Sequence, residues 1–286
     1  GMQLAQKALR DGIKEKAQIL ADKGCAEAKT WIDTFNIGAE NGPATEALLK
    51  AIESDSSEEA KYIKDHKDFV AKKSQWIIGG DGWAYDIGFG GVDHALASGQ
   101  DINILVLNTE VYSNTGGQAS KATPTGAVAQ FAAGGKEVKQ KDLASIAMSY
   151  GYVYVAQIAM GANMAQTIKA ISEAEAYPGP SLIICYAPCI NQGLKVGMSK
   201  VMDEEKKAVE TGYWHLFRFN PDAEGSKFTM DSKAPTAEYS DFLAGEVRYT
   251  SLKLKNAERA AELFAKAEKN AKERFAYLEK LNQLYS

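Results

Sequence analysis

Cysteine, histidine and net charge are all scarce in this 286-residue chain, which has three of each of these residues and a formal charge of −4 from 33 basic and 37 acidic side chains. Cys25, Cys185 and Cys189 are an odd number and too few for a disulfide framework, so reduced thiols are expected. His66, His94 and His215 are too scattered for a zinc site. They read as a solvated histidine, a capping or packing histidine, and a histidine without catalytic assignment. The slight acidity leaves no basic footprint for nucleic acid. No apolar run approaches the roughly 20 residues of a membrane span, and none near the N-terminus reads as a signal peptide. Neither nucleic acid nor membrane is therefore expected as a partner, and the expected location is cytoplasmic. With 45% hydrophobic and 24% charged residues the composition is globular, and the length suits one large domain or two modest ones.

The pattern of the chain changes at Gln75. Residues 1–74 read as a polar helical leader, with Leu4, Ala8, Ile13, Ala17 and Leu20 recurring at helical steps and Gly24, Gly38 and Gly42-Pro43 marking helix ends. Nothing in it has the residue types of an active site, and it is expected to belong to the same domain as residues 75–200. Those residues alternate short β-branched or aromatic runs, at Trp76-Ile77-Ile78, 102–107, 152–158 and 181–186, with helical runs at 88–98, 141–150 and 164–177. This alternation predicts an α/β fold, a mostly parallel sheet flanked by helices, which binds ligands at the carboxyl ends of its strands. Residues 201–286 read as a loop-rich segment and then one long helix from about Leu254, its apolar stripe including Ala257, Ala261, Phe264, Ala267, Ala271, Phe275, Leu278, Leu281 and Tyr285.

The chemistry is concentrated behind the first two strands. Gly79-Gly80-Asp81-Gly82-Trp83 places a carboxylate between glycines at a strand end and before a helix. Glycines let backbone N–H groups approach phosphate oxygens, the helix N-terminus favours an anion, and the aspartate supplies the hard oxygen that Mg²⁺ prefers. Taken alone, Gly-Asp-Gly is a common turn. Twenty-eight residues beyond Asp81, about one strand–helix–strand crossover, comes Asn108-Thr109-Glu110-Val111-Tyr112-Ser113-Asn114. Both clusters are expected at the same sheet edge on adjacent strands, where the Asp81 carboxylate, the Thr109 hydroxyl and a loop carbonyl can share one ion. Ser113 and Ser120 lack the His/Asp pattern of an activated serine.

These segments, with Ser120-Lys121-Ala122-Thr123-Pro124-Thr125-Gly126-Ala127, Tyr186-Ala187-Pro188-Cys189-Ile190-Asn191-Gln192-Gly193 and Gly212-Tyr213-Trp214-His215, carry a resemblance. From about Gln75 onward the chain resembles the C-terminal thiamine-diphosphate-binding domain of pyruvate:ferredoxin (flavodoxin) oxidoreductases. The resemblance implies thiamine diphosphate and Mg²⁺ as cofactors, with Asp81, Thr109 and the carbonyl of Val111 as metal ligands. It places Gly80, Asp81, Gly82 and Trp83 together with Thr109, Glu110, Val111, Tyr112, Ser113 and Asn114 around the diphosphate and thiazolium. It makes Asn114 the catalytic amide beside the reactive carbon. It also makes Cys189 one thiolate ligand of a 4Fe–4S cluster in the complete enzyme. The implied reaction is oxidative decarboxylation of pyruvate to acetyl-coenzyme A and CO₂, with electrons leaving to ferredoxin or flavodoxin, in a homodimeric complete enzyme.

Several parts of the family pattern are not in this sequence. The Cys-x-x-Cys pair is missing, as are the domain that binds the aminopyrimidine and the ferredoxin-like domain. The chain is therefore expected to be a C-terminal fragment, inactive by itself and completed by the remaining domains of the same polypeptide. A β-subunit of another 2-oxoacid oxidoreductase, which should carry its own Cys-x-x-Cys, and a non-catalytic assembly module are the alternatives.

Overall fold

The structure is a computed structural model that describes residues 1–286. It divides into two compact units, Gly1–Gln75 and Trp76–Ser286. The leader thus has its own core and is not part of the α/β domain as expected. Four helices, α1 (Met2–Asp22), α2 (Ala26–Asp33), α3 (Gly38–Ala51) and α4 (Glu58–Asp65), enclose Ile13, Ala17, Trp31, Leu48, Ile52 and Ile63. Helical periodicity identifies such segments but not the core they share. Gly24 ends α1 with φ +99°, whereas Gly42-Pro43 lies inside α3 and does not stop it. So close to the helix start, proline removes only one ladder bond.

The second unit is built on one six-stranded sheet. Its strands are β1 (Trp76–Gly80), β2 (Asn103–Asn108), β3 (Tyr154–Ile158), β4 (Ser181–Tyr186), β5 (Phe217–Phe219) and β6 (Phe228–Met230), in the order β1-β2-β4-β3-β5-β6. The first four run parallel as the sequence predicts; β5 and β6 add an antiparallel margin within a segment read as loop. The central β4 is almost wholly buried, as a strand covered on both faces must be. Alternate residues of β3 separate the two faces. Tyr154, Ala156 and Ile158 pack with Ala170 and Ala174 of α7 (Met164–Ala176), whereas Val155 joins the larger core on the other side. The two remaining crossover helices are α5 (Phe89–Ala97) and α6 (Leu143–Met148).

The C-terminal region is more helical than expected. It contains α8 (Val201–Glu210), α9 (Tyr239–Ala244), α10 (Val247–Lys255) and α11 (Ala257–Leu284). The long helix starts at Asn256, whose side chain accepts from the Arg259 N–H, and not at Leu254, which is exposed. The inward face near its start is Ala260 and Leu263, while Ala257 and Ala261 face out.

His215 is buried on this side of the sheet, where it lines a cavity of about 480 Å³. Burial, and then the Arg274 charge, push its pKa down to about 4. Its folded value lies below the unfolded value of about 6.5, so the folded chain keeps the ring neutral, and stability falls as pH drops from about 6.5 towards 4. The expected loss from this group is roughly 3 kcal/mol. Urea unfolding between pH 7 and pH 4 checks it: His215→Gln flattens the acid limb, and an unchanged slope contradicts the assignment.

Candidate functional site

Strands β1, β2 and β4 are consecutive neighbours in register, Gly80 beside Leu107 and Asn108 beside Tyr186, so the loops after them leave at one edge. Asp81 starts the turn after β1. It is buried, at 1% exposure, and its two oxygens are both engaged. The Thr109 hydroxyl lies 2.7 Å from Asp81 Oδ1, and the Ser120 hydroxyl donates to Oδ2 at 2.5 Å. Thr109 Oγ1 is also 2.9 Å from the carbonyl oxygen of Val111 and accepts from Ser113 Oγ at 2.7 Å.

These separations fit a divalent cation. Adjacent ligands of an octahedral Mg²⁺, with bonds near 2.1 Å, sit about 3.0 Å apart. The spacings from Thr109 Oγ1 to Asp81 Oδ1 and to the Val111 carbonyl are close to that edge. Electrostatics points the same way. Burial pushes the Asp81 carboxyl above the usual carboxylate range, hydrogen bonds from Ser120 and Thr109 oppose the rise, and the Glu110 carboxylate adds to it. A carboxylate destabilised by burial gains most from a cation bound directly to it. The donor set, all oxygen, is one that Mg²⁺ takes and a soft metal does not.

The glycines have steric reasons. A Cβ on Gly82 would lie 2.4 Å from the Tyr112 ring, and the Tyr112 hydroxyl donates to the Gly82 carbonyl at 3.3 Å. Trp83 folds back over Gly79 and Gly88, where a Cβ would come within 2.4 Å and 2.2 Å of its ring. The second loop closes on itself: Tyr112 N–H donates to the Gln118 carbonyl and Gly117 N–H to the Tyr112 carbonyl, both at 2.9 Å. Ser113 and Asn114 are thereby exposed at its tip.

The structure therefore brings Asp81, Thr109, Val111 and Ser113 together, and places Gly80, Gly82 and Tyr112 against them. Glu110 is different. Its side chain is fully buried and receives Arg248 Nη2 at 2.7 Å, Tyr213 OH at 2.5 Å and Gln140 Nε2 at 2.8 Å, so it is not available to a cofactor as a side chain. Ser120, which reads from sequence only as an unsupported nucleophile, is a direct partner of Asp81. Its motif is visible in the sequence, but its partner, 39 residues upstream, is not. Gln192 is a further missed residue: its amide donates to the Thr109 carbonyl at 3.0 Å and its carbonyl oxygen accepts the Cys189 N–H at 3.1 Å. Through Gln192, and through Asn191 Nδ2 on the Ser113 carbonyl at 3.4 Å, the turn carrying half-buried Cys189 leans on the Thr109 loop.

Residues 66–185 match the model of the family described as thiamine pyrophosphate enzyme, C-terminal TPP binding domain. Most of the chain is similar to part of the pyruvate:ferredoxin and pyruvate-flavodoxin oxidoreductases. It is 57% identical over 266 residues to the pyruvate:ferredoxin oxidoreductase of Moorella thermoacetica, covering 90% of this chain and 22% of that protein. It is 49% identical over 291 residues to the pyruvate-flavodoxin oxidoreductase of Klebsiella pneumoniae, and 48% identical over 297 residues to that of Enterobacter agglomerans. Each of these two alignments covers 98% of this chain and 25% of the relative. The chain spans about a quarter of the length of these relatives, and the alignments at 98% coverage take in the helical leader as well.

Proposed function

We propose that this chain supplies the metal- and diphosphate-binding half of a thiamine diphosphate site in an enzyme that oxidatively decarboxylates pyruvate. The carrying observation is that Thr109 Oγ1 lies 2.7 Å from Asp81 Oδ1 and 2.9 Å from the Val111 carbonyl oxygen at the sheet edge. In this reading those three oxygens would hold Mg²⁺, which would supply positive charge to balance the cofactor's diphosphate. Bound thiamine diphosphate supplies the carbanion-stabilising chemistry that lets a 2-oxo acid lose CO₂.

The chain's own residues have distinct tasks. Ser120 fixes one Asp81 oxygen so that the other faces the metal. Gly80, Gly82 and the backbone of Thr109 to Ser113 admit the diphosphate closely, Gly82 being the position where a side chain would displace Tyr112. The Asn114 amide, exposed at the loop tip, would donate a hydrogen bond to the substrate carboxylate or to an oxygen gaining negative charge, without titrating. Cys189 would offer one thiolate to a 4Fe–4S cluster. Coenzyme A as acetyl acceptor, ferredoxin or flavodoxin as electron acceptor, and a cytoplasmic location complete the proposal. The names of the similar proteins support the substrate and the electron carriers. No helix is long and apolar enough to cross a membrane.

A 4Fe–4S cluster on Cys₄ ligation needs one more thiolate than the three that this chain holds. The isolated chain is accordingly expected to show no pyruvate-dependent reduction of viologen. Turnover by the purified chain contradicts this division of labour.

A further inference from the structure

We infer that Arg248 is a positioning residue for the metal-binding turn and acts through the buried side chain of Glu110. The inference rests on the proposed cation site. Glu110 stands between two of that site's oxygen donors, Thr109 and Val111, and has φ +60°. A left-handed backbone is unfavourable for a residue with a Cβ and persists only when its surroundings hold it. Here it aims the Thr109 hydroxyl and the Val111 carbonyl at one another across 2.9 Å.

The hold comes from the side chain. Glu110 Oε2 receives Arg248 Nη2 at 2.7 Å and the Tyr213 hydroxyl at 2.5 Å, while Oε1 receives Gln140 Nε2 at 2.8 Å. Arg248 is fixed in turn, its Nε donating to Glu246 Oε2 at 2.6 Å and its carbonyl accepting the Val128 N–H at 2.9 Å. Three backbone groups of the turn are also tied. The Glu110 carbonyl accepts from Thr123 Oγ1 at 2.6 Å, the Thr109 carbonyl from Gln192, and the Glu110 N–H donates to Asn108 Oδ1 at 3.3 Å. An exposed loop needs no ion pair of this burial. Its cost in desolvation is accounted for if it holds the turn in a shape that the backbone alone resists.

The test varies only the backbone freedom of position 110. Glu110→Ala and Glu110→Gly remove the same carboxylate, but glycine enters the left-handed region without penalty. The readout is the MgCl₂ concentration giving half-maximal binding of thiamine diphosphate to the chain, by calorimetry, beside thermal unfolding without metal. Glu110→Ala is expected to raise that concentration about 10–100-fold, the range for lost supports of metal ligands. Glu110→Gly should raise it less, and Arg248→Met should raise it although Arg248 touches no proposed ligand. Wild-type Mg²⁺ dependence in Glu110→Ala, or equal losses in the alanine and glycine variants, overturns the positioning role alone. Absence of Mg²⁺-dependent binding in the wild-type chain overturns the cation site itself, and this inference with it.

Discussion

Asp81→Asn is expected to lower the Mg²⁺-dependent affinity for thiamine diphosphate by about 100-fold or more, at or beyond the upper end of the effects seen when supports of metal ligands are lost. The amide keeps the shape of the side chain and a hydrogen bond with Ser120, so the loss isolates the charge that faces the cation. The same change is expected to leave metal-free stability equal or higher. Burial disfavours the Asp81 carboxylate in the folded chain, so neutralising it removes a cost that no cation is present to offset. Paired titrations and urea melts separate the two effects. A loss of stability equal to the loss of affinity would make Asp81 a structural residue and not a ligand.

Arg248→Met is expected to be among the most destabilising single changes in the chain. Arg248 lies between Glu110 and Glu246, and its side chain is 4% exposed, while both carboxylates are fully buried. Breaking such a pair from one side costs about 3–5 kcal/mol, because the carboxylates stay buried without their cation. For a chain of this size that is on the order of 10 °C in melting temperature. The sign with pH is fixed as well. Burial already pushes the Glu246 pKa up to about 7 with Arg248 opposing, and without the guanidinium it rises further. A carboxyl with a raised folded pKa is best tolerated when protonated, so the deficit that Glu246 brings should be smallest near pH 5 and grow as pH rises. Melting curves of both proteins from pH 5 to pH 8 check this, and a pH-independent deficit contradicts it.

The legible and illegible parts of the sequence divide along physical lines. Strands β2 to β4 stand out because short runs rich in Val, Ile, Leu and Tyr between polar loops read as buried strands, whereas β1, Trp76–Gly80, is marked by its short Trp-Ile-Ile start and the glycines that follow. Their parallel order alone places Asp81 and Thr109 side by side. Strands β5 and β6 have three residues each, too few for a periodic signal, and the pairing of β5 with β3 and of β6 with β5 is decided by tertiary packing. Ser120 stays hidden because a serine hydroxyl is identified by its partner, and that partner is reached only when the loop closes on Asp81. Glu110 misleads for a similar reason. Acidic and set between two ligand positions, it looks like a cofactor contact, but its partner Arg248 lies 138 residues further along the chain. Periodicity also cannot divide the leader from the α/β unit, since amphipathic helices show which face is buried and not against what.

The central claim concerns one point in space, and locating a metal there tests it most directly. Crystals grown with thiamine diphosphate and Mn²⁺ in place of Mg²⁺ would show the ion by its anomalous scattering. A single peak about 2 Å from Asp81 Oδ1, Thr109 Oγ1 and the Val111 carbonyl together is the predicted result. A peak elsewhere, or one that touches only one of the three oxygens, would contradict the account.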